Sequence, residues 1–297
     1  MVDLESNHGL VHSKILERAI RYYEVLGPIY YKEAFPGFSR QQEELTKKRF
    51  RGINVSIDNL GDLINALASL ISNNNLIKGV DLGSGNHFFV DYVRRKFRWD
   101  AIAIDRFSYA INLAREKYPE SAEFYLVRDF LSPEPLFKDG SQNFVFCNAV
   151  IQHFDDSELN LFFKKVAKML VEGGILLLIF KRKVGWKILK EKGLKINILD
   201  EKRGLIELEE PAIKEAIRNA AEEVKVKLTQ SQIKGMREFR FFTPAELVFL
   251  ATRYELQVVE KMPFGNPQWP GIVEYESGRG IPTAAIFFRR TKLLISD

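Results

Sequence analysis

The sequence predicts an α/β fold built on a mostly parallel, doubly wound β-sheet. Across residues 76–180, short β-rich runs alternate with helical patterns. The runs are almost continuously apolar, as expected of strands that helices cover on both faces. Two further strand patterns near the end of the chain have no helical pattern between them, so we expect them to pair antiparallel at one edge of the sheet.

The predicted elements of this sheet follow one another in a regular order. Strands are predicted at residues 78–82, 101–105, 123–128, 143–147 and 175–180, and C-terminal strands at 256–259 and 284–289. Helices are predicted at residues 89–97, 108–118 and 156–171, the last of them ending at Gly173-Gly174. One more helix begins at Thr243-Pro244-Ala245-Glu246, which combines a capping box with proline at the first helical position.

Further helical patterns lie outside the alternating region. Apolar residues recur at helical spacing over residues 15–23 and 57–71, and Ser56 is predicted to cap the second of these helices. Residues 30–37 are predicted to form a loop, and residues 211–228 a charged helix. We therefore expect a helical N-terminal extension and an insertion that follows the fifth strand.

The composition excludes several classes of protein. With 46% hydrophobic and 12% aromatic residues among 297, most of the chain is unlike a disordered tail. No apolar run is long enough to span a bilayer, and Asp3 and Glu5 stand where a signal peptide needs basic and apolar residues. Cys147 is the single cysteine, so we expect no internal disulfide and no metal site. We expect a cytoplasmic protein without membrane contact.

The charge distribution is uneven along the chain. There are 44 lysine and arginine residues against 39 acidic residues, and much of the excess lies within residues 181–203, whereas residues 207–223 are more acidic. A solvated, locally polarised surface is the simpler interpretation. Contact of the basic stretch with RNA, a phosphorylated substrate or a partner protein is the alternative.

A glycine-rich turn follows the first predicted strand, in the segment Val80-Asp81-Leu82-Gly83-Ser84-Gly85. Gly83 and Gly85 allow the backbone to turn tightly and to approach a ligand that a Cβ would block. The helix that follows offers free N–H groups to a polar or anionic ligand. Asp105 ends the second strand, where a carboxylate can accept hydrogen bonds from both hydroxyls of a ribose.

The next positions favour an adenosine-type ligand over a dinucleotide. The dinucleotide fingerprint needs a third glycine where this chain has Phe88, so a pyrophosphate-binding turn is disfavoured. The third strand ends in Arg128-Asp129-Phe130. Asp129 could accept a hydrogen bond from an exocyclic amine, and Phe130 could supply its backbone amide or a ring wall. Three consecutive strands thus end in acidic residues suited to one nucleoside.

These residues, with four later segments, resemble the successive motifs of class I S-adenosylmethionine-dependent methyltransferases, in the small-molecule, type 11-like branch. The later segments are DGSQNFVF at 139–146, NAVIQHF at 148–154, VEGGIL at 171–176 and FFTPAEL at 241–247. The resemblance is strong over residues 76–180 and holds in outline over 240–290. It implies a seven-stranded sheet in the order 3-2-1-4-5-7-6, with strand 7 antiparallel.

The resemblance also implies S-adenosylmethionine as cofactor and S-adenosylhomocysteine as product. The cofactor-binding positions it implies are Asp81, Gly83, Ser84, Gly85, Asp105, Arg106, Asp129, Phe130 and Asn148. In this assignment the glycine turn meets the methionine moiety, Asp105 the ribose, Asp129 and Phe130 the adenine, and Asn148 the methyl-donor end. His87 stands where the family usually has a further glycine, and its side chain would alter cofactor contacts.

Other residues are candidates for the methyl acceptor's side of the site. His153 is a candidate general base, and the alternative is a histidine that the backbone satisfies at the end of a strand. Tyr23, Tyr30 and Tyr31 are candidates for a lid over the ligand, although part of this aromatic surface is expected in the core.

The resemblance divides the chain into four parts. These are a helical N-terminal cap packed on the core (1–75), a cofactor-binding α/β core (76–181), an inserted lid or substrate region (182–239) and a C-terminal completion of the core (240–297).

The expected function is in-line methyl transfer to an unidentified, small-molecule acceptor. Nucleic acid is disfavoured because Ala149-Val150 follow Asn148, where nucleic-acid amine methylases have Pro-Pro and an aromatic residue. The alternatives are an RNA methyltransferase that uses residues 181–203 and a non-catalytic binding protein of the same fold. A nicotinamide-dependent oxidoreductase is disfavoured by Phe88. The oligomeric state stays open.

Overall fold

A computed structural model defines the fold. It describes residues 60–71, 76–85, 88–183, 196–208, 238–260, 271–276 and 282–291, with shorter pieces at 16–17, 19–20, 23–24, 50–51, 56–57, 218 and 222. The helices are α1 (Leu60–Leu70), α2 (Phe89–Phe97), α3 (Ser108–Lys117), α4 (Asp156–Met169) and α5 (Pro244–Thr252), with 3-10 turns at Pro119–Phe124 and Ile151–His153.

The strands fall into one large and two small sheets. The large sheet contains β3 (Lys78–Leu82), β4 (Asp100–Asp105), β5 (Tyr125–Val127), β6 (Gln142–Asn148), β7 (Leu170–Lys181), β11 (Leu256–Val258), β12 (Ile272–Glu276) and β13 (Pro282–Arg290). A hairpin pairs β1 (Phe50–Arg51) with β2 (Ser56–Ile57). A three-stranded antiparallel sheet, inserted after β7, contains β8 (Ile196–Asp200), β9 (Leu205–Leu208) and β10 (Glu238–Arg240).

The large sheet confirms the predicted doubly wound topology. Its order is β5-β4-β3-β6-β7-β13-β11, in which β3 to β7 run parallel and β13 is antiparallel to both β7 and β11. In order of appearance this is 3-2-1-4-5-7-6. An eighth strand, β12, was not predicted; it pairs antiparallel with β13 and shares that edge with β11.

Alternate residues of the central strands enter two separate cores, one on each face. Phe144 and Phe146 of β6 pack with α1, α2 and α3, whereas Val145 and Cys147 pack with α4 and α5. Since successive side chains of a strand point to opposite faces, a strand buried on both sides must be apolar throughout. This explains the continuous apolar runs in the sequence.

The boundaries of two predicted elements change for local reasons. The predicted helix 156–171 ends at Met169, because Leu170 is extended and begins β7 by pairing with Gln142. Gly173 and Gly174 therefore lie within the strand, where the pairing shifts register, rather than ending a helix. The predicted strand 123–128 shortens to Tyr125–Val127, because the 3-10 turn that starts at Pro119 runs to Phe124.

The N-terminal extension is helical at residues 16–17, 19–20 and 23–24 and in α1, as predicted, but it also contains the hairpin of β1 and β2, which was not predicted. Ser56 and Ile57 form β2, so Ser56 is not a helix cap, and α1 begins at Leu60. The capping box at Thr243 is confirmed, since its side chain accepts from the Glu246 amide. The predicted loop 30–37 lies outside the described residues, as does most of the predicted helix 211–228, of which Arg218 and Glu222 are helical. No helix in the described ranges is long and apolar enough to cross a membrane.

Gly79, the second residue of β3, pairs with Phe144 of β6 and lies against its ring, and a Cβ at this position would overlap that ring. We expect Gly79→Ala to lower the free energy of unfolding by about 1–3 kcal/mol through overpacking. In a Phe144→Leu background the same exchange should cost at least about 1 kcal/mol less, because the ring is gone. Urea unfolding of the wild type, the two single variants and the double variant measures this coupling. Additive losses of stability in the double variant would contradict it.

Candidate functional site

A pocket opens at the carboxyl ends of the central parallel strands. Its empty volume is about 640 Å³, a figure that includes the open solvent at its mouth. Residues that follow β3, β4, β5 and β6 form one wall, and helical residues near the N-terminus form the other. This edge of an open α/β sheet is where ligands of such folds bind.

Main-chain hydrogen bonds fix the turn that follows β3. The amides of Gly83 and Ser84 both donate to the Ile104 carbonyl of β4, at 2.8 and 3.1 Å. Gly83 has φ of +70°, in the left-handed region that favours glycine. A Cβ on Gly83 would also lie 2.5 Å from Cγ2 of Val150. Glycine is therefore needed here both for the backbone conformation and for the close approach of Val150.

The Asp105 carboxylate ties this turn to the end of β4. Its Oδ2 accepts from the Gly85 amide at 2.8 Å and its Oδ1 from the Phe107 amide at 2.9 Å. Burial raises the pKa of Asp105, while the amides of Phe107 and Gly85 and the positive charge of Arg106 act in the opposite direction. Asp105 is thus held rigidly at the wall of the pocket, with its orientation set by two neighbouring loops.

Asp81 lies beneath the turn and has a different environment. It is buried, and its Oδ2 has no hydrogen-bond partner within the described ranges. Burial raises the pKa of Asp81 well above its usual value, and the nearby Asp105 raises it further. A raised pKa means that the neutral, protonated form is favoured at Asp81.

The end of β5 contributes an ion pair and an aromatic ring. Oδ2 of Asp129 lies 3.5 Å from Nη1 of Arg106, and Oδ1 of Asp129 accepts from the Leu131 amide at 2.9 Å. The Phe130 ring is buried and packs against Phe154 at a centroid distance of 5.9 Å. This side of the pocket therefore combines a fixed carboxylate with an apolar surface.

His153 lies in the 3-10 turn that follows β6 and also lines the pocket. Its residue is only 7% exposed, and neither ring nitrogen has a hydrogen-bond partner in the part of the chain that the structure describes. The structure thus gives no support to a backbone-satisfied histidine. Burial lowers the pKa of His153 to about 4, so the imidazole is neutral near pH 7.

Aromatic rings from distant segments surround this imidazole. Tyr23 meets the His153 ring edge-on, with centroids 5.8 Å apart and an interplanar angle of 88°. Phe239 of β10 lies 5.5 Å away, and Phe107 lies 5.3 Å from Tyr23. Leu16, Ala19, Ile20 and Tyr23 all line the pocket at helical spacing, so the N-terminal helix covers it with its apolar stripe.

The pocket gathers many, but not all, of the residues that the sequence singles out. Those that line it are Tyr23, Gly83, Asp105, Arg106, Asp129, Phe130 and His153. Asp81, Ser84, Gly85 and Asn148 lie at or just beyond the ends of β3 and β6, outside the lining. Tyr30, Tyr31 and His87 lie outside the described residues.

Sequence reasoning missed three contributors. Phe107 follows Asp105 by two positions, and this proximity could have indicated it. Ala149 lines the pocket at the end of β6 with φ of +55°, a strained conformation for a residue with a Cβ. Phe239 reaches His153 only because the inserted sheet packs β10 against the 3-10 turn at Ile151–His153. No local pattern encodes that contact.

Comparison with known proteins agrees with this architecture. Residues 80–178 match the family model described as a methyltransferase domain. None of the curated proteins matches the chain in sequence. Among solved structures, a protein from Pyrococcus horikoshii OT3 is 17% identical, with a TM-score of 0.55 over 91% of this chain and 99% of that one.

Two other solved structures are similar at the level of the fold. An S-adenosylmethionine-dependent methyltransferase from Methanosarcina mazei is 18% identical, with a TM-score of 0.53 over 79% of this chain and 99% of that one. The 1,6-didemethyltoxoflavin-N1-methyltransferase of Burkholderia thailandensis, with bound 1,6-didemethyltoxoflavin and S-adenosylhomocysteine, is 12% identical, with a TM-score of 0.52 over 98% of both chains.

The sheet order and the pocket at its carboxyl edge define a protein of the methyltransferase fold. The match over residues 80–178 agrees with the motifs at Gly83, Asp105 and Asp129. Residues 80–178 match a methyltransferase domain, and the fold of the chain is similar to that of solved S-adenosylmethionine-dependent methyltransferases, in agreement with the resemblance of its sequence motifs.

Two glycines of left-handed conformation test the packing of the turn. Gly83 and Gly140 have φ of +70° and +62°. Replacement of either glycine by alanine should therefore lower the free energy of unfolding by about 1 kcal/mol through backbone strain. Only Gly83 has a close neighbour, since nothing lies within 4 Å of a Cβ on Gly140. We expect Gly83→Ala to destabilise the protein by at least about 1 kcal/mol more than Gly140→Ala. Chemical denaturation measures the stability of both variants. Equal losses of stability would show that Val150 can move away from the new Cβ without a cost in free energy.

The lowered pKa of His153 predicts a pH dependence of stability. Between its ordinary pKa of 6.5 and its folded pKa of about 4, the unfolded chain binds a proton that the folded protein does not. The free energy of unfolding should therefore fall as the pH drops through this window, by up to about 3 kcal/mol.

A His153→Gln variant isolates this contribution. The raised pKa values of Asp81 and Asp105 act in the opposite direction but are common to both proteins. The difference in stability between wild type and variant should therefore shift in favour of the wild type as the pH rises from 4 to 6.5. Urea unfolding at a series of pH values measures it, and parallel profiles would contradict the assignment to His153.

Proposed function

We propose that this protein transfers a methyl group from S-adenosylmethionine to a small-molecule acceptor by in-line displacement. The observation that carries the proposal is a pocket lined together by Asp105, Asp129 and a neutral His153 whose ring nitrogens have no partner in the described ranges. The carboxylates suit a nucleoside, and the imidazole suits an acceptor that must lose a proton.

The residues present fit the adenosyl cofactor. Each oxygen of Asp105 accepts one backbone hydrogen bond and keeps lone-pair capacity for a ribose hydroxyl. The turn from Gly83 through Ser84 to Gly85 brings main chain, without a side chain at Gly83, to where the methionine moiety would lie. Asp129 and Phe130 would hold the adenine. Asp81 would support the turn from below, and Asn148 would lie near the methyl-donor end.

When bound, the cofactor supplies a sulfonium whose methyl group is already activated for transfer. The protein must hold the acceptor in line, and orientation of this kind lowers barriers by up to about 7–11 kcal/mol. The apolar stripe of Leu16, Ala19 and Ile20 would exclude water from the pocket. His153 would take the acceptor's proton, and S-adenosylhomocysteine would leave as product.

The acceptor side of the pocket draws on the parts of the chain outside the α/β core. Tyr23 comes from the N-terminal cap (1–75) and Phe239 from the inserted region (182–239), and both contact His153. In this proposal the core (76–181), completed by residues 240–297, binds the cofactor. The cap and the insertion would then select the acceptor.

The basic stretch 181–203 gives little support to an RNA substrate. Within its described residues, the Lys183 amine donates to the carbonyls of Glu201 and Lys202. The Arg203 guanidinium pairs with Asp156 and Asp200. These cations hold the turn between β8 and β9 against α4, which is a structural task. A small-molecule acceptor is therefore the better supported choice.

Calorimetric titration with S-adenosylhomocysteine tests the cofactor assignment. We expect binding by the wild type and a loss of at least about tenfold in affinity for Asp105→Asn, because an amide cannot accept from both the Gly85 and Phe107 amides and carries no charge. Asp100→Asn is the matched control, since Asp100 begins the same strand at its opposite end and is 42% exposed.

Unfolding curves of both variants verify that each is folded. NAD, which shares the ribose but adds a pyrophosphate, should not bind. Equal affinity of the two variants for S-adenosylhomocysteine, or tighter binding of NAD, would contradict the proposed function.

A further inference from the structure

The two nitrogens of His153 are buried polar atoms without a hydrogen-bond partner in the described ranges, and His153 lines the pocket. Buried polar groups are almost always hydrogen-bonded, because leaving one unpaired costs free energy. The aromatic rings in contact with the imidazole within the described residues are those of Tyr23 and Phe239. A bound molecule is therefore the natural source of the missing hydrogen bond.

The shape of this part of the pocket favours a flat molecule. Tyr23 near the N-terminus and Phe107 in the loop after β4 line the pocket with their ring centroids 5.3 Å apart, and Phe130 and Phe154 line it as well. Aromatic rings present broad, rigid faces and edges, and they pack best against other planar groups. Rings from four separate segments therefore border the pocket, and Phe239 of the inserted sheet packs against His153.

The charges around the pocket disfavour an ionised acceptor. Among the described lining residues, the charged side chains are Asp105, Arg106 and Asp129. Arg106 is paired with Asp129, and both oxygens of Asp105 accept backbone hydrogen bonds. The described lining therefore offers an ionised acceptor no charged side chain that is not already paired or hydrogen-bonded within the protein. A carboxylate, phosphate or ammonium buried against His153 would lose its hydration without a full counter-charge from these side chains, at a large cost.

We propose that the methyl acceptor is an uncharged, planar aromatic or heteroaromatic molecule whose hydroxyl or ring N–H group donates a hydrogen bond to His153. This proposal rests on the proposed function and names the substrate class of the same site. The acceptor's oxygen or nitrogen forms a bond to the methyl carbon, and the carbon–sulfur bond breaks with its electron pair left on sulfur. The acceptor's proton moves to a nitrogen of His153 and then to solvent.

The weak basicity of a buried imidazole is compatible with this role. Bond formation to the methyl carbon leaves the acceptor atom positively charged, so its proton becomes strongly acidic. A neutral imidazole can then take that proton even where burial opposes its protonation. Its main task before transfer is to orient the donor group of the acceptor by a hydrogen bond.

Binding of simple naphthalenes to the full-length protein saturated with S-adenosylhomocysteine tests the substrate class. The probes are 2-naphthol, naphthalene-2-carboxylate and 2-naphthylmethylammonium, which share one ring system and differ in charge. We expect 2-naphthol to bind at least about tenfold more tightly than either charged probe at pH 7.

Variants of His153 assign the preference to this residue. His153→Phe should lower the affinity for 2-naphthol about tenfold, because the ring is kept and the hydrogen bond is lost. His153→Gln keeps a hydrogen-bond acceptor, so its affinity for 2-naphthol should lie between those of the wild type and His153→Phe. It replaces His153→Phe in the test if that variant does not fold. Phe249→His, the reverse exchange at a 75% exposed position of α5, is the matched control and should change nothing.

The possible outcomes separate the two proposals. Affinity for S-adenosylhomocysteine should stay within about twofold in all His153 variants, because His153 is not among the residues assigned to the cofactor. Tighter or equal binding of a charged naphthalene, no binding of any naphthalene, or an unchanged affinity of His153→Phe for 2-naphthol would overturn the substrate class alone. Failure of the wild type to bind S-adenosylhomocysteine would overturn the proposed function itself.

Discussion

The left-handed turn after β3 is the constraint on which the pocket depends. Its amides donate to Ile104 and to the Asp105 carboxylate, so the ends of β3 and β4 are locked together. The turn leaves no room for a side chain at Gly83, because Val150 from the end of β6 lies against it. Three neighbouring strands thus present their carboxyl ends as one rigid surface. The apolar, two-faced core beneath them keeps that surface in place.

Desolvation sets the electrostatic character of the site. Burial raises the pKa of Asp81 and Asp105 and lowers that of His153, so each group is shifted toward its neutral form. Arg106 and Asp129 form an ion pair among the described lining residues. The same lining contains a neutral imidazole and several aromatic rings. The pocket therefore combines paired charges with a neutral, aromatic surface.

The fold and the glycine and acidic residues of the site were predictable because both are encoded locally. Apolar runs broken by helical patterns define the strands, and their two-sided burial follows from that pattern. Gly83, Asp105 and Asp129 each follow a strand directly, so strand order alone brings them to one edge. Element boundaries were less predictable. The helix α4 gives way to β7 at Leu170 without a loop, since pairing with Gln142 outweighs the glycines that follow.

The sequence by itself determined the class of fold, the order of the sheet and the acidic and glycine positions that end its strands. Only the tertiary structure decided what surrounds His153. Tyr23, from helical residues near the N-terminus, and Ala149, from a strained backbone after β6, line the pocket. Phe239 of the inserted sheet packs against His153. Such contacts join segments far apart in the chain, and no periodicity or spacing records them. Burial, which makes the imidazole neutral, is likewise a property of the assembled fold.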